Sequence, residues 1–233
     1  NHLSVAEYSV AMILAMVKQL KLADYKARQR QWRSVQSTFL RGKTLGIIGL
    51  GKVGSRIAEL MKPFELRIIA YDPYVPAEKA RDLGVELTDL ATLLKESDIV
   101  SLHATETAAN KRFIGEAQFR LMKPTAYFVN IARGGLVDEG ALAKALKENW
   151  IAGAALDVFD PEVPEPDNPL LDKEIALRTL YSPHAAGVNA ETQWVLANLQ
   201  VEDCLSGIKG ELPKYVVNKE AIPKWQERIR AGL

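Results

Sequence analysis

The stretch that most narrows the fold is "TLGIIGLGKVGSRIAELM", residues 44–61. A short apolar run leads into "GLGKVG" and a helical pattern leaves it, so Gly49, Gly51 and Gly54 stand in G-x-G-x-x-G spacing between a strand and a helix. Glycine-rich turns are common, and by themselves the three glycines say little. Between a strand and a helix they serve three needs, namely a tight turn, close approach of a pyrophosphate to the backbone, and close packing of the helix on its strand. The unpaired amides and dipole of the helix N-terminus then favour a phosphate.

The same alternation continues along the chain. "LRIIAYD", "SDIVSLH", "TAYFVNIA", "IAGAALDVF" and "RTLYSPH" are short apolar runs, while "DLATLLKES", "GEAQFRLM" and "DEGALAKALKEN" read as helices between them. Continuous apolar strands separated by helical crossovers predict an α/β fold with a doubly wound parallel sheet. The run "LRIIAYD" closes on Asp72, about 20 residues beyond the glycines, where an acid accepts hydrogen bonds from a ribose diol. A carboxylate there repels a 2′-phosphate, so the expected cofactor is NAD rather than NADP.

Totals exclude more than they assign. At 233 residues, 48% hydrophobic and 25% charged, the chain has the makings of one large α/β domain, alone or with an appendage. A formal charge of +1 gives no electrostatic footprint for nucleic acid or an anionic membrane, and no apolar run reaches the length of a span. A single cysteine, Cys204, rules out an internal disulfide framework and suits a cytoplasmic setting. His2, His103 and His184 lack ligand spacing, so no metal site is expected.

The chain opens on an amphipathic helix over residues 3–20, with Ser4 and Glu7 in capping-box spacing. A Lys-, Arg- and Gln-rich stretch follows over 18–33, read as a solvated helix end and loop. Residues 160–172 carry four prolines and form a loop, and a helix over about 190–209 is stopped by Gly210 and Pro213.

Three polar residues stand at or just beyond predicted strand ends, the rim where open α/β sheets bind ligands: Arg133, Glu162 and His184. Arg133 offers a planar fork for a carboxylate, and the two glycines after it are expected to clear space for a small ligand. His184, in "SPHAAG", is of the residue type best suited to proton transfer near neutral pH. The alternative reading for each is structural: an ordinary ion pair, or a core histidine.

In order and spacing, "VAEYSVAMILAM", "GKTLGIIGLGKVGSRIA", "MKPTAYFVNIARGGLVDEGALAKAL", "IAGAALDVFDPE", "NPLL" and "SPHAAG" resemble the D-isomer-specific 2-hydroxyacid dehydrogenases. The resemblance implies a Rossmann-type NAD-binding domain over 1–209 and a C-terminal helical return segment over 210–233. It also implies a substrate domain upstream that this sequence does not contain. It implies hydride transfer between nicotinamide and a small D-2-hydroxy or 2-keto acid, in a homodimer. Arg133 would hold the substrate, His184 would exchange the proton, and Glu162 would pair with the imidazole. Lys52 and Val53 would touch the pyrophosphate through their backbone, and Thr105 would line the adenosine side. Ile131, Ala132, Arg133, Asp157, His184, Ala186 and Gly187 would surround the nicotinamide, with Asp157 at the place of the family's carboxamide-binding acid.

The sequence departs from the family pattern in having Val163 rather than proline after Glu162, which leaves Asp160 and Glu165 as alternative acids. The expected behaviour is NADH binding with poor turnover of hydroxypyruvate or glyoxylate. The rival reading is a non-catalytic NAD(H)-sensing or scaffolding module of the same family. A hydrolase of the adenosylhomocysteine type fits the ordered landmarks less well.

Overall fold

The computed structural model describes residues 1–231. The chain divides into two compact units, Asn1–Gly187 and Val188–Leu233. In the first, α1 (His2–Val17) and α2 (Leu20–Arg28) precede β1 (Thr44–Ile48), α3 (Lys52–Met61), β2 (Arg67–Tyr71), α4 (Ala77–Asp82) and β3 (Glu86–Leu87). Then come α5 (Leu90–Glu96), β4 (Ile99–Leu102), α6 (Glu116–Leu121), β5 (Tyr127–Asn130), α7 (Glu139–Lys147), β6 (Gly153–Leu156) and β7 (Thr179–Tyr181). The second unit holds α8 (Ala190–Ile208) and α9 (Ile222–Arg230).

The seven strands form one sheet in the order β3-β2-β1-β4-β5-β6-β7, every pairing parallel. The order reverses between β1 and β4, the switch point at which doubly wound sheets leave a crevice beyond their C-terminal strand ends. Neighbouring residues on a strand face opposite sides, and the two faces carry separate cores. Ile48, Val100 and Phe128 pack with Leu93, Phe119 and Leu142 from α5, α6 and α7. Ile47, Ile99 and Val129 pack with Ile13, Met16, Ile57 and Met61 from α1 and α3.

Three local expectations change. The capping box does not form: α1 begins at His2 with Asn1 as its cap, and the Ser4 hydroxyl donates instead to the Ala186 carbonyl at 2.7 Å, a tertiary bond that local spacing does not reveal. The helix also ends early, at Val17, because Gln19 adopts a left-handed φ of 52° and α2 starts anew. Finally, β3 has two residues and α4 buries only Ala80, so neither offers a periodic hydrophobic signal. In the second unit Asn189 Oδ1 caps α8 by accepting from the Thr192 amide at 2.7 Å, and Gly210 ends the run at φ +76°.

Candidate functional site

The turn between β1 and α3 is built by backbone constraints. Gly49 takes φ +95°, where a side chain would strike His103 and Ala104 at 2.8 Å. A Cβ on Gly54 would fall onto the Gly49 carbonyl oxygen, so the helix seats on its strand only with glycine there. Gly51, by contrast, faces open space and caps α3 without any side-chain hydrogen bond to the helix. The first turn, with Lys52 exposed and Val53 half-buried, therefore presents its amides outward.

Asp72 stands directly after β2 and ties this turn to the next strand. Its Oδ2 accepts from the Leu50 amide at 2.8 Å and its Oδ1 from the Tyr74 amide at 2.9 Å. Each carboxylate oxygen keeps a further lone pair for a diol. Thr105, exposed beyond β4, accepts through its carbonyl from Asn110 Nδ2 at 2.8 Å. The His103 imidazole, at 2.7 Å from Ser101 Oγ, is desolvated, and burial pushes its pKa from 6.5 down to about 3. A histidine held neutral in this way is a structural rim residue rather than a proton carrier.

The second half of the site lies beyond β5, β6 and β7. His184 Nδ1 lies 2.7 Å from Glu162 Oε1, and both side chains remain open to solvent. The competing acids are engaged elsewhere or unconnected to the ring: Asp160 faces Lys111 and Arg112 at 3.9 and 4.0 Å. Its amide donates to Glu139 Oε1 at 2.8 Å, and Glu139 also accepts from Asn168 Nδ2 at 2.6 Å, which fixes the proline-rich loop that carries Glu162. Glu165 accepts only through its carbonyl, from the Asn168 amide at 2.9 Å.

Asp157 is 2% exposed and both of its carboxylate oxygens accept hydrogen bonds. Oδ1 accepts from Ser182 Oγ at 2.5 Å and from the Ala185 amide at 2.8 Å, and Oδ2 accepts from the Ala186 amide at 3.0 Å. The Asp157 carbonyl takes the His184 amide at 2.8 Å. Asp157 thus draws the whole "SPHAAG" loop onto the end of β6 and holds His184 at φ +53°.

Arg133 is exposed after β5, and its loop is braced by Asn130, a residue that sequence reasoning missed. Asn130, 1% exposed, donates through Nδ2 to the Arg133 carbonyl at 2.9 Å and accepts through Oδ1 from the Ala132 amide at 3.0 Å. Ile131 is buried below it. Contrary to the expectation from sequence, the two glycines after Arg133 do not clear space for a ligand. Both are buried: a Cβ on Gly134 would fall on the Phe159 backbone, and one on Gly135 would meet the Glu106 carboxylate at 2.5 Å. Their smallness lets two loops of the protein approach each other.

Against this geometry, residues 10–186 match the family model for the D-isomer specific 2-hydroxyacid dehydrogenase, NAD binding domain. The chain belongs to that family. It is 41% identical over 227 residues to a glyoxylate reductase of Aeropyrum pernix, covering 93% of this chain and 67% of the relative. It is 40% identical over 224 residues to a D-3-phosphoglycerate dehydrogenase of Archaeoglobus fulgidus, covering 95% of this chain and 42% of the relative. Among solved structures, a D-lactate dehydrogenase from Aquifex aeolicus complexed with NAD and lactic acid superposes with a TM-score of 0.83 at 31% identity, over 91% of this chain and 68% of that one. The chain thus spans about two thirds of the first relative's length and under half of the second's.

NAD is the cofactor of this dehydrogenase domain, and the residues present fit it. Gly51 leaves the approach to the α3 amides open, Gly54 packs as a pyrophosphate turn requires, and Asp72 retains acceptor capacity at the ribose position. Among the described residues no group of three or more His, Cys, Asp or Glu side chains could hold a metal ion. None of the single helices described is long and apolar enough to cross a membrane.

Proposed function

We propose that this chain carries the cofactor and proton-transfer half of an NAD-dependent dehydrogenase acting on a small D-2-hydroxy or 2-keto acid. The observation that carries the reading is the 2.7 Å contact between His184 Nδ1 and Glu162 Oε1, with His184 on a loop held to the end of β6 by Asp157. An ionised carboxylate only accepts, so Nδ1 holds the hydrogen and Nε2 is left to exchange a proton with the substrate oxygen. Glu162 also stabilises the imidazolium that forms when the ring takes the proton. Arg133, exposed on a braced turn, binds the substrate carboxylate through its fork. NAD, when bound, gives or takes the hydride at carbon.

The α3 amides seat the pyrophosphate, Asp72 takes the ribose diol, and Ile131, Ala132, Ala186 and Gly187 border the nicotinamide. The Asp157 carboxylate acts mainly by holding the histidine loop, with carboxamide binding limited to the lone pairs left over. A homodimer is the assembly we favour, since Trp32 and Phe39 are 75% and 83% exposed on the irregular stretch after α2. A cytoplasmic setting agrees with a lone cysteine, Cys204, that is free and exposed.

The test is NADH consumption with glyoxylate, hydroxypyruvate and pyruvate, alongside NADH binding by fluorescence. His184→Ala should keep NADH affinity and lose about 10²–10⁴ in turnover. Turnover in His184→Ala equal to that of the unaltered chain would favour the sensing module instead.

A further inference from the structure

The loop that carries His184 is held from two sides, and only one of them is the sheet. Ala186, 2% exposed, donates its amide to Asp157 Oδ2 at 3.0 Å, while its carbonyl accepts from Ser4 Oγ at 2.7 Å. Ser4 lies in the first turn of α1, 182 residues away in sequence. The next residue, Gly187, lies so close to the same turn that a Cβ would come 2.9 Å from Asn1 Nδ2. Two contacts therefore join the start of α1 to the end of the histidine loop.

The Ser4 hydroxyl, in the first turn of α1, reaches across to the loop rather than donating within its own helix. That loop needs outside support, because His184 sits at φ +53°, which a non-glycine residue keeps only where its surroundings enforce it. Release of the Ala186 carbonyl would free the peptide between Ala186 and Gly187 to rotate and leave Asp157 as the remaining hold on the loop that carries the imidazole.

We infer that Ser4 is a positioning residue for His184: its hydroxyl latches the "SPHAAG" loop to α1, so that the imidazole meets Glu162. The inference rests on the reading of His184 as proton carrier for its functional meaning, but its geometry can be tested without turnover. A shift of the first turn of α1 would then be transmitted to the proton-transfer pair through one hydrogen bond.

The experiment is a long-range proton–nitrogen NMR spectrum of the imidazoles, which are only three in this chain, with His184 assigned by its loss in His184→Gln. In the wild type the neutral ring should carry its hydrogen on Nδ1, where Glu162 accepts it. Ser4→Ala should lose Nδ1–H as the dominant form in favour of Nε2–H, and Ser4→Thr, which keeps the hydroxyl, should restore it. Should Ser4→Ala fail to fold, Ser4→Cys keeps the shape with a weaker donor and should give an intermediate ratio. An unchanged tautomer ratio in folded Ser4→Ala, or in Ser4→Cys, overturns the latch and leaves the proposed function standing. A wild-type ring already dominated by Nε2–H overturns both.

Discussion

The two rims of this site are built by opposite means. Beyond β1 and β2 the cofactor turn is shaped by what is missing: Gly49 and Gly54 leave no room for side chains, and Gly51 leaves the helix amides exposed. Beyond β5 and β6 the loops that carry Arg133 and His184 are shaped by what is present: Asn130 and Asp157, both buried, bind loop amides and carbonyls through their side chains. The first design gives a surface that a diphosphate can approach along the backbone. The second holds side chains at fixed directions, which proton transfer requires because geometry precedes acidity in a general acid.

If that contrast is right, damage should differ in kind on the two rims. The largest effect is expected at Gly54→Val, whose side chain would collide with the Gly49 carbonyl. It should lose NADH binding and about 3 kcal/mol or more of stability, read by thermal unfolding. Asp157→Asn comes next: one oxygen becomes a donor facing loop donors, so stability should fall by about 2–3 kcal/mol while NADH still binds. Gly51→Ala should do the reverse, leaving Tm unchanged and weakening NADH about tenfold, or about 1.4 kcal/mol, because the added methyl crowds only the phosphate approach. Unaltered NADH affinity in Gly51→Ala would place the diphosphate away from this turn.

At neutral pH the effect at the boundary between the rims vanishes, and it emerges only as a pH dependence on the acid side. Burial holds His103 neutral in the folded chain, with a pKa of about 3 against 6.5 unfolded. Between those values the unfolded chain binds the extra proton, so His103 leaves stability intact above pH 6.5 and erodes it as pH falls towards 3. In His103→Gln the acid limb of the Tm–pH curve should be shallower than in the wild type; an identical limb would show that the ring is not desolvated.

Legibility follows the same divide. The strand–turn–helix around Gly49, Gly51 and Gly54 was readable because glycine spacing reports backbone geometry directly, and the apolar runs gave six of the seven strands. Arg133, Glu162 and His184 stand out in the sequence as candidate chemistry at strand ends, but what braces the loops that carry Arg133 and His184 does not. Asn130 looks like any strand-end polar residue until its two bonds to the Arg133 loop are seen, and Ser4 fits a local capping box better than a bond across 182 residues. Gly134 and Gly135 were misread for a related reason, since spacing shows that a side chain is absent but not what occupies its place.

The central claim is that His184 and Glu162, rather than His184 with a neighbouring acid, form the proton-transfer pair. The most direct measurement compares Glu162→Gln with Asp160→Asn for turnover of the best 2-keto acid across pH, at saturating NADH. Glu162→Gln should lose about tenfold or more in kcat, while Asp160→Asn should stay close to the wild type. Wild-type turnover in Glu162→Gln, with the loss appearing in Asp160→Asn, would contradict the account.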